Sequence, residues 1–381
     1  MPEHLTAAPA ETMDQLLSDI RLRHAEFNAQ RHVSRDIIER LKQQGVYRAA
    51  TPVCFGGSGM TPAEFLALIE RISTADGSVG WVASFGSAAV YLAALPKATQ
   101  AAIYAESPDL VFAGGLFPIQ PATAVEGGWQ VSGTWKFASG CKGADLLGVG
   151  IGVGGPGQPG AKPRMAVLPA SQVAIIDNWD VMGLSGTGSH DLKVQQQFVA
   201  DEWTFIRGGA PTIDEALYRY PTIAYAAQVL GVVNLGIARA ALDHFGEMAG
   251  GRVAITGAPK LADRSYVRIE VAKAEARLAS ARHFLYQSTE AAWRTILSGD
   301  PVTDEQVAML RLTATEAARA GNDVVGMMFG LAGTTAIYNS HPLQRYLRDA
   351  AVVKQHAFLG EGIYDGAGAV ALGVPPIPGF L

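Results

Sequence analysis

Cysteine is the scarcest reactive residue in this chain. Two occur among 381 residues, Cys54 and Cys141, far apart and with no metal-ligand spacing around either. That excludes a disulfide framework and a thiolate metal cluster, and it reads as two reduced thiols of a cytoplasmic protein. An excess of basic charge is missing too. The 30 Lys and Arg against 35 Asp and Glu leave a formal charge of −5, so no basic field faces a nucleic-acid backbone. The N-terminal MPEHLTAAPAETMDQ lacks the basic and apolar regions of a secretion signal. Residues 77–96 carry no charge at all, over about the length of a membrane span. Their three Gly, three Ser and terminal Pro read instead as a buried helix, so no membrane span is expected.

What is present suffices for a large core: 49% of the residues are hydrophobic, enough for two or three domains. Residues 13–26, 36–44 and 62–74 have the spacing of amphipathic helices, with Ile37, Ile38 and Leu41 on one face and Gly45 as a stop. Thr61-Pro62 followed by Glu64 is a helix-start signature. From residue 111 to 205 the texture changes to short alternating runs (111–116, 128–137, 146–153, 164–169, 192–199) separated by Gly, Pro and Asp turns. Gly150 to Gly155 spells GxGxxG, but PGQPGAKPR follows in place of a helix, so it reads as a hairpin loop. Helical spacing returns at 220–240, apolar nearly all round, then at 262–293, 303–328 and 343–358, before a tail, GAGAVALGVPPIPGF. The class is α+β, with an α-helical domain (1–110), a β-barrel-like domain (111–207) and a helical bundle (208–381).

Within the β region, WQVSGTWKFASGCKGAD places Trp129, Val131, Gly133, Trp135 and Phe137 on one side of a strand. By pattern alone this is an amphipathic edge strand ending in a Gly turn. The same aromatic wall, followed by Ala138-Ser139-Gly140, can also cover a planar ring while a hydroxyl and backbone amides address its heteroatoms.

Four segments carry a resemblance. WKFASGCKGAD looks like the flavin-binding strand of the acyl-CoA dehydrogenase superfamily, and STADGSVGW resembles the small-residue helix beneath its active site. VMGLSGTGSHDLKVQQQFV and HPLQRYLRDAAVVKQHAFLGEG are similar to the two-component flavin monooxygenases of that superfamily, which act on phenols, hydroxyphenylacetate, indoles and dibenzothiophene. The resemblance implies a helical N-terminal domain, a middle β domain and a C-terminal helical bundle; residues 220–240 and the two long helices after them present more apolar surface than one chain buries, which suggests a homotetramer through the bundle. It also implies a separate reductase that supplies reduced FMN or FAD, and an oxidant formed with O2 as the C4a-hydroperoxyflavin.

By the same resemblance, the flavin contacts are Trp135, Phe137, Ser139 (at N5), Gly140, Thr187 and Ser189. Arg252 stands in a segment resembling an Arg–Phe–Gly element that reaches a neighbouring subunit's flavin phosphates; here the Phe is absent and Gly257 is displaced by one. Ser185 replaces an Arg found in many relatives, and His190 reads as structural. Trp81, Ser84 and Phe85 line the substrate side, and His356 is the proton-transfer group, taking a proton from a phenol OH or indole NH or donating one toward the oxidant. Helical spacing would put Asp349, Val353 and His356 on one face, so that Asp349 orients the imidazole or forms a structural pair with it.

An acyl-CoA dehydrogenase or oxidase is the alternative, as are an N- or S-oxygenating relative and a scaffold without catalysis. A dehydrogenase needs a carboxylate base. After Arg348-Asp349-Ala350 its place falls on Ala357, residues 219–242 contain no Asp or Glu, and Glu361 lies four positions too far. With no Arg or Lys in 77–96, the substrate reads as neutral, a small phenol or indole.

Overall fold

The structure is a computed structural model that describes residues 11–152, 163–251 and 259–381. Arg252 and Gly257 lie outside the described residues, as does most of the loop after Gly152. The chain opens with α1 (Met13–Gln30), α2 (Arg35–Gln43) and α3 (Pro62–Ala75). Thr12 with Gln15 and Thr61 with Glu64 close reciprocal capping boxes at the starts of α1 and α3.

The uncharged stretch after α3 is not one helix. It breaks into α4 (Gly77–Ala83), a 3₁₀ turn (Ser84–Ser87) and α5 (Ala89–Leu92), followed by α6 (Lys97–Ile103). The hydroxyls of Ser84 and Ser87 bond back to the carbonyls of Trp81 and Ser84, at 2.7 and 2.8 Å, and so compete with the helical ladder.

Among the described residues seven strands follow: β1 (Phe112–Val125), β2 (Gly128–Ala138), β3 (Leu146–Gly152), β4 (Arg164–Pro169), β5 (Ala174–Ile176), β6 (His190–Ala200) and β7 (Thr204–Ile206). Among the described residues their order is β5-β6-β2-β1-β3-β4-β7. Neighbours run antiparallel except β1 with β3. The expected alternation along β2 fails at its end. The β2/β6 register shifts between Trp135 and Ala138, and Phe137 takes a positive φ of 61°. This bulge puts consecutive aromatics on opposite sides. Trp135 is fully buried, with its indole N–H donating to Gly150 O at 2.7 Å, whereas Phe137 is 68% exposed.

The bundle is built on α7 (Thr222–Gly250), α8 (Ser265–Leu297), α9 (Asp304–Ala332), α10 (Pro342–Val353) and α11 (Gly362–Ala371). The helix α7 is long and apolar enough to cross a membrane by length and composition, yet 89% of its most apolar window is buried inside the fold. One helix was expected over 343–358. Instead α10 stops at Val353, His356 adopts extended backbone, a 3₁₀ turn covers Ala357–Leu359, and part of the expected tail forms α11. Asp349 and His356 therefore do not share a continuous helical face.

Candidate active site

A cavity of about 560 Å³ opens where α4, the β domain, α7 and the turn after α10 meet. Trp81, Ser84, Phe85, Phe137, Ser139, Thr187, Ser189 and His356 all line it. Two other residues expected there do not. Trp135 belongs to the core because of the bulge. Gly140 is buried at φ +73°, a conformation that favours glycine, and its amide donates to Thr187 O at 2.8 Å. That amide ties the end of β2 to the following turn and is not free for a ligand.

Each wall has its own support. Asp76 caps α4 by accepting from the amides of Ser78 and Val79, and its other oxygen pairs with buried Arg345 of α10 at 2.8 Å. This fixes Trp81, one turn further on. The turn 183–189 is pressed against α10: a Cβ on Gly183 would lie 2.3 Å from Arg348 O. Asp349 accepts the Leu184 amide at 2.6 Å, so its task is to hold this turn, and the orienting role toward His356 is not what the structure shows. Burial pushes the Asp349 carboxyl up to about 6, against the pull of Arg345. His190 is fully buried and accepts the amide of Trp179, whose ring meets Phe137 edge-on at 6.3 Å.

Four side chains form a hydrogen-bonded chain whose direction can be deduced. Trp81 Nε1 lies 3.1 Å from Ser139 Oγ, Ser139 Oγ 2.7 Å from Ser189 Oγ, Ser189 Oγ 2.8 Å from Thr187 Oγ1, and Thr187 Oγ1 2.8 Å from Leu184 O. An indole N–H only donates and a carbonyl only accepts. With one proton per contact, Thr187 donates to Leu184, Ser189 to Thr187, and Ser139 to Ser189. Ser139 then has its proton spent and one lone pair left for the cavity. It is an acceptor there.

His356 closes the other side. Its imidazole meets the rings of Trp81 and Phe358 edge-on, at 5.7 and 4.9 Å. Nδ1 accepts the Phe358 amide at 3.2 Å, which leaves the proton of the neutral ring on Nε2. Burial, with the Arg207 cation adding to it, pulls its pKa down to about 4. At neutral pH the ring is a neutral donor and not a base.

Among the described residues, no carboxylate lines the cavity. Ala357 stands on the wall where a dehydrogenase base was sought, α7 contributes Ala226, Val229 and Leu230, and Glu361 is mostly exposed and pairs with Arg319. Sequence reading missed Tyr91, Trp179, Phe205, Arg207 and Phe358, all on the wall. Nothing local marks them, since they come from four separate segments. The arrangement suits a flavin ring: an unspent acceptor at Ser139, a flat aromatic at Phe137 and an apolar enclosure.

Comparison with known proteins agrees. The family models "Acyl-CoA dehydrogenase, N-terminal domain" and "Acyl-CoA dehydrogenase, C-terminal domain" match residues 8–105 and 228–361. The chain is 53% identical to an indole-3-acetate monooxygenase of Pseudomonas putida over 99% of both chains. It is 30% identical to the oxygenase component of an FADH2-dependent resorcinol hydroxylase of a Rhizobium species, over 91% of this chain and 89% of the relative. The crystal structure of 3-HSA hydroxylase from Rhodococcus sp. RHA1 superposes with a TM-score of 0.90 at 26% identity, covering 97% of each chain.

Proposed function

Because the chain belongs to the flavin-dependent, two-component monooxygenases of the acyl-CoA dehydrogenase superfamily, we propose that it oxygenates a small indole, with indole-3-acetate as its substrate. The observation that carries this reading is the cavity itself: an aromatic enclosure without a carboxylate base, in which Trp81 joins an acceptor at Ser139 to a neutral donor at His356. A bound reduced flavin supplies the two electrons and two protons with which O2 is split, one oxygen atom entering the substrate C–H as C–OH and the other leaving as water.

The residues of the chain do the rest. Ser139 would accept from the N–H of the reduced ring, with Ser189 and Thr187 holding its own proton away from the cavity, and Phe137 and Trp179 would cover the ring. Phe85, Tyr91, Phe112, Phe205 and Phe358 enclose the indole and exclude water. His356, as a neutral ring, donates a hydrogen bond from Nε2 toward the reacting atoms, positioning and polarising them. The electrons come from a separate reductase. A cytoplasmic homotetramer completes the proposal, supported by the exposed apolar side chains Tyr266, Ile269 and Phe284 along α8.

The test is an anaerobic titration with reduced FMN and with FADH2, followed by ¹⁸O-labelled oxygen and indole-3-acetate. One labelled oxygen atom in the product is expected. Tight retention of oxidised FAD with dye reduction by an acyl-CoA, and no labelled product from either flavin, would overturn it in favour of a dehydrogenase.

A further inference from the structure

We propose that Arg207 selects the substrate by charge: its guanidinium pairs the substrate carboxylate beside His356, so the protein distinguishes indole-3-acetate from a neutral indole of the same shape. The inference rests on the proposed function and adds the residue that reads the acid group. Arg207 directly follows β7, and its amide donates to Pro163 O. Its guanidinium lies over the rings of Tyr91 and Phe358, at 5.0 and 5.5 Å, and donates to Tyr91 Oη at 3.3 Å. Two aromatic faces thus hold the planar group in place on the cavity wall.

Among the described residues no Asp or Glu lies within ion-pair distance of Arg207, and none lines the cavity. Half-buried on an apolar wall with no carboxylate in reach, the guanidinium keeps donors for an incoming anion. The fork of N–H donors matches a carboxylate two-to-two, which an ammonium does not. The position also suits the reaction. Phe358, one of the rings under Arg207, supplies the amide that fixes His356, so an acid group held at Arg207 places the ring it carries next to the Nε2 donor. The charge absent from residues 77–96 is supplied from the far end of the β domain. Among the described residues Lys136, exposed on β2, is the other cation on the wall, but it stands beside Phe137 on the strand that leads into Ser139.

Equilibrium binding of indole-3-acetate and of 3-methylindole, which lacks only the carboxylate, tests this without turnover. Wild type should prefer the acid. Arg207→Gln should weaken indole-3-acetate binding by about 10- to 100-fold, the worth of a charge-assisted pair, and erase the preference. Arg207→Lys should recover part of it. Three results would overturn the assignment: equal binding of both ligands to wild type, equal weakening of both by Arg207→Gln, or loss of the preference in Lys136→Gln instead. A shift in reduced-flavin affinity in Arg207→Gln with the preference intact also overturns it, making Arg207 a flavin contact. Failure of the proposed function looks different: the acid binds through Arg207, and no labelled product forms.

Discussion

Thr187→Val tests the directed hydroxyl chain with the smallest change of shape. The substitution replaces a buried hydroxyl by a methyl and removes two contacts, one to Leu184 O and one to Ser189 Oγ, both 2.8 Å. Leu184 O still accepts Trp179 Nε1 at 3.3 Å, so the carbonyl is not orphaned. Ser189 loses Thr187 as its acceptor and finds another in Ser139, so the cost in stability is that of one hydrogen bond, about 0.5–1.5 kcal/mol. Its proton turns toward Ser139, and the Ser139 proton is released to the cavity. In wild type Ser139 offers only a lone pair, which suits the ring N–H of a reduced flavin and repels the bare nitrogen of an oxidised one. Once the hydroxyl can turn, that discrimination falls. A difference of about 1.4 kcal/mol is tenfold in the ratio of dissociation constants. The assay is fluorescence titration with oxidised flavin and anaerobic ultrafiltration with reduced flavin, on both proteins. Thr187→Val should narrow the oxidised-to-reduced ratio by about tenfold, chiefly through tighter oxidised flavin. A folded variant with the wild-type ratio refutes the chain direction. Ser139→Ala should remove the discrimination and raise hydrogen peroxide release at the expense of product.

The remaining predictions concern His356, Asp349 and assembly. His356→Ala should leave reduced-flavin binding largely intact and lower indole-3-acetate oxygenation by about 10²–10³-fold, the worth of one positioned hydrogen-bond donor, with His356→Asn, whose amide also donates, recovering part of it; normal turnover in the Ala variant would make His356 a bystander. Because burial lowers the pKa of His356 from 6.5 to about 4, the ring is neutral above that value; as pH falls through it Nδ1 gains a proton and can no longer accept the Phe358 amide, while Nε2–H is kept. An NMR titration should place its midpoint near 4, and Arg207→Gln should move it upward. Asp349→Ala leaves the buried Leu184 amide without its acceptor and should weaken reduced-flavin binding by about 5- to 100-fold without moving the His356 titration; a shift of that titration would restore the orienting role. Light scattering at micromolar concentration should return a tetramer mass, and a monomer mass would refute the proposed assembly.

What the sequence determined by itself was local. Thr12–Gln15 and Thr61–Glu64 announce the starts of α1 and α3 because a capping box needs only residues three apart. The three-part order of helices, strands and helices follows from a period that changes twice along the chain. The motifs around Ser139, Thr187–Ser189 and His356 were legible as motifs, and the structure brings all of these residues to one cavity. Tertiary structure alone decided how they are used. The bulge that separates Trp135 from Phe137 is set by the register with β6, where Trp135 faces Leu192 and Ala138 faces His190, and is invisible to strand alternation. His356 leaves the helix and its ring caps the next turn, while Asp349, inside α10, holds Leu184 across 165 positions of sequence. Arg207 meets Tyr91 and Phe358 only when three domains close around the cavity. Propensity and capping act within a few residues, whereas charge, burial and proton direction depend on neighbours that only the folded chain supplies.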